Sequence, residues 1–238
     1  LPLVRSRRHA LRVTSVVDEG DGVRSVYVTG RRIDRLPVDP GQFFVWRFLD
    51  RAGWTRGNPY SLSAAPDGRS LRISVKALGD NSASVAQLQA GTRIAVEGPY
   101  GRLSPRARTR DKVALIGAGV GIAPLRALAE GLDYRPGEAV LLYRFSADPL
   151  FDQEFAVLAA ERGLRVVYLP GSRRSDDSWL GLGAGSLDDV AALHQVVPDL
   201  AARDVFVCGP QAWATAVQRA ARGCGVPEDQ LHVESFGW

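Results

Sequence analysis

Hydrophobic and polar residues follow two different spacings along this chain of 238 residues, and the spacing changes between residues 104 and 111. From residue 10 to residue 104, short alternating or apolar runs recur between turns rich in aspartate, proline and glycine. Such a spacing predicts an antiparallel β-barrel or sandwich. A short helix with a serine cap is predicted at residues 82–88 from its apolar spacing. The predicted strands span residues 11–17, 22–29, 42–48, 71–76 and 93–96.

From residue 111 onward, strand-like apolar runs alternate with helix-like segments. This alternation is typical of a parallel sheet wrapped by helices. The predicted strands span 113–116, 139–143, 165–169, 205–208 and 231–236, and the predicted helices span 124–130, 151–162, 187–193 and 211–222. Residues 104–110 are interpreted as a linker and residues 170–186 as a flexible segment. We therefore expect two domains, a β-barrel of residues 1–106 and an α/β domain of residues 107–238.

A glycine-rich turn connects the first predicted strand of the second half to its helix. Glycines let the backbone approach a pyrophosphate, and the free N–H groups of a helix start attract its charge. Ile122 occupies the last glycine position of the G-x-G-x-x-G pattern, so a tight strand-to-helix turn without a ligand stays the alternative. The candidate nucleotide-binding residues are Gly119, Val120, Gly121, Ile122 and Pro124.

The numbers of cysteines and histidines limit the metal sites that the chain can form. The two cysteines exclude a four-cysteine iron–sulfur cluster within this chain, and the three histidines show no spacing of metal ligands. We therefore predict no metal site. Apolar runs all fall short of the roughly 20 residues that span a bilayer.

The formal net charge is +4, and much of the local excess lies at Arg5, Arg7, Arg8 and Arg12. This segment is either a solvated arm or a segment against anionic lipid at the cytoplasmic face. Nucleic-acid binding is not predicted, because aromatic and basic residues do not interleave there. The chain begins Leu-Pro-Leu and contains no methionine, so we expect that residue 1 is not the natural start.

Three further motifs are candidates for ligand binding. In the first half, Trp54 and Arg56 precede Asn58-Pro59-Tyr60-Ser61, and the strand that ends at Lys76 leads into a glycine turn and serines. That second motif is either a phosphate site or an ordinary helix cap. In the second half, Cys208-Gly209-Pro210 ends a strand, where open parallel sheets bind ligands, although a lone cysteine is commonly a small buried hydrophobe.

In their order and spacing, these motifs resemble the ferredoxin–NADP reductase superfamily from about residue 11 to residue 238. The chain is most similar to the reductase portion of bacterial ferric reductase-like transmembrane proteins, which are relatives of NADPH oxidases. Two positions depart from the pattern. Asn58 stands where relatives usually carry His or Arg, and Val120 replaces a Thr that is common in plant-type relatives.

The resemblance implies FAD on the barrel and a nicotinamide dinucleotide on the α/β domain, with hydride passing from the second to the first. It implies that FAD is held by Asn58, Pro59, Tyr60, Ser61, Lys76, Gly79, Ser82, Ala83 and Ser84. It implies that the dinucleotide is held by the glycine turn and by Cys208, Gly209 and Pro210. The residues expected around the reacting rings are Ser61, Cys208, Glu234 and Trp238.

NADPH is expected in preference to NADH, because a 2′-phosphate is recognised by arginine. Arg144 and either Arg173 or Arg174 are the candidates, and ordinary surface arginines are the alternative.

The resemblance implies that the electron acceptor lies outside this chain, which lacks the cysteines for an iron–sulfur cluster. The expected acceptor is the haem of a membrane domain that precedes the chain, which implies a location on the cytoplasmic side of the cell membrane. The alternatives are a free-standing cytoplasmic reductase that serves ferredoxin or flavodoxin, and a nucleotide-binding relay module without turnover.

Overall fold

The computed structural model of the chain describes residues 8–49 and 55–236, with the side chains of residues 80 and 81 excepted. Some residues discussed above lie outside the described residues: the initial Leu-Pro-Leu, Arg5, Arg7, Trp54 and Trp238.

Six antiparallel strands form the amino-terminal part of the fold among the described residues. They are β1 (Arg12–Gly20), β2 (Val23–Thr29), β3 (Phe43–Phe48), β4 (Asn58–Ser61), β5 (Leu71–Lys76) and β6 (Ile94–Tyr100). They pair as two three-stranded sheets with the orders β1-β2-β5 and β4-β3-β6. Isolated bridges between Arg12 and Arg93 and between Leu62 and Ile73 join the two sheets at both edges. The predicted antiparallel barrel is therefore confirmed.

Every second side chain along β3 points into the core of the barrel. Phe44, Trp46 and Phe48 of β3 are fully buried, while the residues between them are only partly covered. Aromatic and β-branched residues favour such pleated, half-buried positions. The Trp46 indole N–H donates a hydrogen bond to the carbonyl oxygen of Tyr60 at 2.9 Å, which ties β3 to β4 next to the predicted Tyr-Ser motif.

The short helix of the barrel begins earlier than predicted. Helix α1 (Asp80–Ala83) is followed by a 3₁₀ turn over Ser84–Gln87. The prediction that serine caps this helix is wrong. The Ser82 hydroxyl accepts hydrogen bonds from the backbone N–H groups of Leu78 and Gly79, at 2.9 and 3.0 Å, and so stabilises the preceding turn.

A five-stranded parallel sheet forms the carboxyl-terminal part, as predicted. Its strands are β7 (Val113–Ala118), β8 (Ala139–Phe145), β9 (Arg165–Pro170), β10 (Asp204–Pro210) and β11 (Leu231–Phe236). Their order in the sheet is β11-β10-β7-β8-β9. The chain turns from one side of β7 to the other between β9 and β10, and open sheets bind ligands at such a switch point.

Four helices cover the two faces of this sheet: α2 (Ile122–Gly131), α3 (Asp152–Arg162), α4 (Asp189–Val196) and α5 (Gln211–Gly223). Successive residues of β7 contribute to opposite cores, Leu115 to the core with α2 and α3, and Ile116 to the core with α4 and α5. Helix α4 begins two residues later than predicted, because the Asp188 carboxylate accepts hydrogen bonds from the N–H groups of Val190 and Ala191, both at 2.9 Å.

The segment between the two parts is anchored on both sides. Arg106 forms an ion pair with Asp39 of the barrel at 2.6 Å. The N–H groups of Thr109 and Arg110 donate to the buried Asp204 of β10, both at 2.6 Å. The domain boundary at residues 106 and 107 stays a prediction. Within the described ranges, no helix has the length and apolar character needed to cross a bilayer.

Candidate functional site

A cleft of about 690 Å³ lies between the barrel and the α/β domain. It is lined by residues from four separate motifs of the sequence: the Tyr-Ser motif, the end of β5 with its turn, the glycine turn and the carboxyl-terminal strand. Among the predicted site residues, those that line it are Asn58, Pro59, Tyr60, Ser61, Lys76, Gly79, Ser82, Val120 and Pro124. The fold thus brings together segments that are more than 100 residues apart in the sequence.

Ser61 places an unsatisfied hydroxyl group in this cleft. Its side chain is buried, and its hydroxyl has no hydrogen-bond partner among the described residues. A buried hydroxyl without a partner costs about 1–3 kcal/mol. A flat ring system with hydrogen-bonding edge atoms would satisfy it, so the residues present fit a flavin.

The main chain before Ser61 is held closely against β3. Gly57 has no space for a side chain, because a Cβ there would lie 2.3 Å from Cγ1 of Val45. The neighbouring Arg56 and Asn58 both line the cleft. The start of β4 is therefore fixed in place at the edge of the cleft.

The predicted phosphate site after β5 is only partly assembled. The Lys76 ammonium lines the cleft and forms an ion pair with Asp21 at 2.7 Å. The Ser82 hydroxyl is engaged by its own turn, as described above, and Ala83 and Ser84 are not among the residues that line the cleft. Their contact with a phosphate stays a prediction.

The glycine turn connects β7 to α2 through a 3₁₀ turn over Gly119–Gly121. Gly119 has a φ of +55°, which L side chains rarely adopt. A Cβ on Gly121 would lie 2.5 Å from the carbonyl oxygen of Cys208, so only glycine permits this approach to β10. Pro124 lies in the first turn of α2, as predicted, where its missing N–H leaves no intrahelical bond unmade.

A second cleft of about 250 Å³ lies on the other side of the glycine turn. The predicted dinucleotide residues that line it are Gly119, Val120, Arg144, Arg173 and Pro210. A smaller cleft of about 200 Å³ is lined by Gly121 and Gly209, and it shares Lys76, Gly119 and Val120 with the second cleft. The predicted nucleotide residues thus meet around one turn, while Ile122 is buried beneath it.

The candidate arginines differ in their surroundings. Arg144 is buried and donates to the carbonyl oxygen of Gly171 at 2.8 Å, and its burial, together with nearby Arg173, lowers its pKa. Arg173 pairs with the exposed carboxylate of Asp176 at 2.8 Å. Arg174 pairs with Asp189 at 3.0 Å and does not line the second cleft. Among the described residues, Arg144 and Arg173 are therefore the two arginines that line this cleft.

Cys208 and Glu234 occupy adjacent paired positions on β10 and β11. The Cys208 thiol is fully buried, and burial, followed by the nearby Glu234, raises its pKa well above the usual range. The Glu234 carboxylate accepts hydrogen bonds from the N–H groups of Arg102 and Leu103, at 2.6 and 3.3 Å. Burial raises the pKa of Glu234 although these hydrogen bonds oppose the shift.

Neither of these two side chains is among the residues that line the three clefts. Their predicted part in the reaction stays a prediction, as does that of Trp238, which lies outside the described residues.

Sequence reasoning did not assign several residues that line the clefts. Ser235 and Phe236 line the main cleft beside the residues of the barrel, and Asp21 lines the second cleft. A signal was present for the first two, which lie at the carboxyl end of a predicted parallel strand. No local signal distinguishes Asp21, because its pairing with Lys76 depends on contact across 55 residues of sequence.

Comparison with known proteins agrees with this geometry. Residues 115–219 match the family described as the oxidoreductase NAD-binding domain. The chain is 35% identical to the ferredoxin reductase component of 3-ketosteroid-9-alpha-monooxygenase from Mycolicibacterium smegmatis, over 95% of this chain and 65% of that protein. It is 29% identical to the glycine betaine monooxygenase reductase subunit of Chromohalobacter salexigens, over 97% of this chain and 64% of that protein. The chain thus spans slightly less than two thirds of the length of these relatives.

Solved structures extend the similarity across both parts of the fold. The flavohem-like FAD/NAD-binding domain of nitric oxide dioxygenase from Vibrio cholerae superposes with a TM-score of 0.73 and 26% identity, over 98% of this chain and all of that one. The ferredoxin–NADP⁺ reductase of Plasmodium falciparum has a TM-score of 0.72 at 13% identity, over 95% of each chain, and shares the fold. Residues 115–219 of the chain therefore match an oxidoreductase NAD-binding domain, and both parts of its fold are similar to those of solved FAD/NAD-binding reductases.

Proposed function

We propose that this chain is a flavin-dependent NAD(P)H reductase that passes electrons to an acceptor outside itself. The observation that carries the proposal is the unpartnered hydroxyl of Ser61 in a cleft lined by both domains. The similarity to reductase components supports the same reaction class. Bound FAD would supply the chemistry, which is the acceptance of a hydride and the release of single electrons.

The residues of the barrel would bind and orient the flavin. Tyr60 offers a partly buried aromatic face to the cleft, and Ser61 offers a hydrogen bond at its buried edge. Trp46 and Gly57 hold this strand so that neither group has to be ordered when the ligand binds. Such preorganisation lowers the entropic cost of binding.

The residues of the α/β domain would hold the dinucleotide beside it. Gly119 and Gly121 let the main chain lie close to a pyrophosphate, and the first turn of α2 presents its N–H groups there. Arg144 and Arg173 would bind a 2′-phosphate, which favours NADPH over NADH. Cys208 and Glu234 would border the nicotinamide from β10 and β11.

For the acceptor, we propose a small electron carrier or an oxygenase component. The Mycolicibacterium smegmatis relative is named as a ferredoxin reductase component, and the Chromohalobacter salexigens relative as a monooxygenase reductase subunit. The haem of a membrane domain, which was the first expectation from the sequence, has no such support.

Substitution of Ser61 tests the flavin site. Ser61→Ala should reduce the rate of flavin reduction by NADPH about tenfold, because it removes one hydrogen bond to the ring. Ser15→Ala is the matched control, since Ser15 is exposed on β1 and lines none of the clefts. Stopped-flow absorbance of FAD-reconstituted protein gives both rates. Equal rates in Ser61→Ala and the control would reject the assignment of Ser61, and a failure of all three proteins to retain FAD would reject the function.

A further inference from the structure

Positive charge is scarce in the main cleft. Among the described residues that line it, only Arg56 and Lys76 carry a cation. The Lys76 ammonium is already paired with Asp21 at 2.7 Å. Arg56 has an exposed side chain and forms no hydrogen bond or ion pair with any described residue. Arg56 is therefore the one cation of the described cleft whose charge is not neutralised.

The ligand of this cleft needs such a charge if it carries phosphates. A diphosphate is anionic, and arginine binds phosphate oxygens through two parallel N–H groups. Asn58 can donate a hydrogen bond but brings no charge, and it stands where relatives usually carry a basic residue. The cleft thus has a neutral side chain at the expected position and an unpaired guanidinium two residues before it.

The main chain holds Arg56 at this edge. Gly57 fits between Arg56 and Asn58 with no free space, against Val45 and the guanidinium of Arg47. Arg47 itself pairs with Glu97 at 3.5 Å and does not line the cleft. Asn58 is fixed by its strand pairing with Trp46. The close packing of Gly57 against β3 and the pairing of Asn58 hold this segment in place, with Arg56 lining the cleft.

We propose that Arg56 supplies the positive charge that binds the phosphates of the flavin nucleotide, in place of a basic residue at position 58. The inference rests on the proposed function, since it assumes that the cleft holds FAD. It assigns a binding role to a residue outside the Tyr-Ser motif, and it explains how the cleft tolerates asparagine at position 58.

Comparing flavins with and without phosphate shows whether Arg56 contacts the phosphates or affects the whole cleft. The affinities of FAD, FMN and riboflavin for the purified apoprotein are measured by flavin fluorescence, at low and at high ionic strength. Arg56→Ala should weaken FAD and FMN binding about tenfold or more and leave riboflavin binding unchanged, because riboflavin has no phosphate. The weakening should be smaller at high salt, where charge interactions are screened.

Two further variants complete the experiment. Arg69→Ala is the control, because Arg69 is an exposed arginine of the barrel that lines none of the clefts. Asn58→Arg added to Arg56→Ala should restore FAD affinity. Unchanged FAD affinity in Arg56→Ala, or an equal loss of riboflavin affinity, would overturn the inference while leaving the reductase proposal intact. If the wild-type protein binds no FAD at all, the proposed function fails and this inference fails with it.

Discussion

Arg72 of the barrel and Glu154 of the α/β domain form a two-pronged ion pair, with nitrogen–oxygen distances of 2.8 and 3.0 Å. Arg126 of α2 contacts the same carboxylate at 2.6 Å, and it also pairs with Glu130. The Glu130 carboxylate in turn accepts a hydrogen bond from the N–H of Ala65 in the barrel at 2.6 Å. A largely buried network of charges thus joins the two domains on the side of α2 and α3.

We expect Glu154→Gln to destabilise the protein by about 2–4 kcal/mol, somewhat below the range for fully buried pairs. The reason is that the buried Arg72 and Arg126 would lose their shared counter-charge. Urea unfolding measures the change. Glu161→Gln, at an exposed position of the same helix, is the control. Identical unfolding midpoints for the two variants would show that the network does not join the domains.

Asp204 anchors the connecting segment and should make stability depend on pH. Burial raises its pKa, but hydrogen bonds from His232, Thr109 and Arg110 outweigh burial and lower the pKa below its ordinary value of 3.8. A lowered pKa contributes stability that is present above the unfolded-state pKa and is lost as the pH falls through the folded-state pKa. Wild-type stability should therefore decrease below about pH 4.

Asp204→Asn should remove this dependence and cost about 1–3 kcal/mol at neutral pH. Thermal unfolding across the acidic range measures both effects. Asp111→Asn, which changes an exposed carboxylate near the same segment, should behave as wild type. An Asp204→Asn variant with the acid profile of wild type would contradict the assignment.

Glu234 should make stability depend on pH in the opposite direction from Asp204. Burial raises the pKa of Glu234 above its ordinary value of 4.5, so its contribution to stability is present below the unfolded-state pKa and is lost as the pH rises through the folded-state pKa. Glu234→Gln keeps an acceptor for the N–H groups of Arg102 and Leu103 but cannot ionise. The variant should therefore gain stability relative to wild type as the pH rises.

The gain is measured as the difference in melting temperature between about pH 4 and about pH 8. Glu228→Gln is the control. The ion pair with Arg222 lowers the pKa of Glu228, so this variant should lose stability relative to wild type as the pH rises. A difference that does not change with pH would show that the Glu234 carboxyl is not held in a desolvated state.

Arg173 should contribute to the choice between NADPH and NADH. It lines the second cleft beside Arg144, and its ion-pair partner Asp176 is exposed, so its charge is available to a 2′-phosphate. Arg173→Ala should raise the KM for NADPH about tenfold and leave that for NADH nearly unchanged. Arg174→Ala should change neither constant, since Arg174 does not line this cleft. An unchanged ratio of the two constants in Arg173→Ala would reject the role.

The sequence predicted the order of strands and helices well, because alternation and helical spacing report local burial. It could not predict the pairing of Arg72 with Glu154, which lie 82 residues apart in the sequence and meet only in the folded structure. It also missed Trp179, which lies in the segment interpreted as flexible. That side chain is almost fully buried and donates a hydrogen bond to the carbonyl oxygen of Asp189 at 2.9 Å.

The sequence predicted those parts of the candidate site that consist of short, continuous motifs. Tyr60, Ser61 and the glycine turn could be identified because each requires particular residue types at fixed spacing. The positions of side chains such as Ser82 and Glu234 could not, because a hydroxyl or a carboxylate bonds to whichever backbone N–H groups the fold brings near it. Arg56 lies between these cases, since it was visible beside the motif but its lack of a partner is a property of the folded cleft.

The most direct test of the account is the visible spectrum of the purified chain after reconstitution with FAD and dialysis, followed by anaerobic addition of NADPH or NADH. The account predicts a yellow protein whose flavin absorbance is bleached by the nicotinamide and returns when an electron acceptor is added. A colourless protein after dialysis, or a bound flavin that neither nicotinamide reduces, would contradict it.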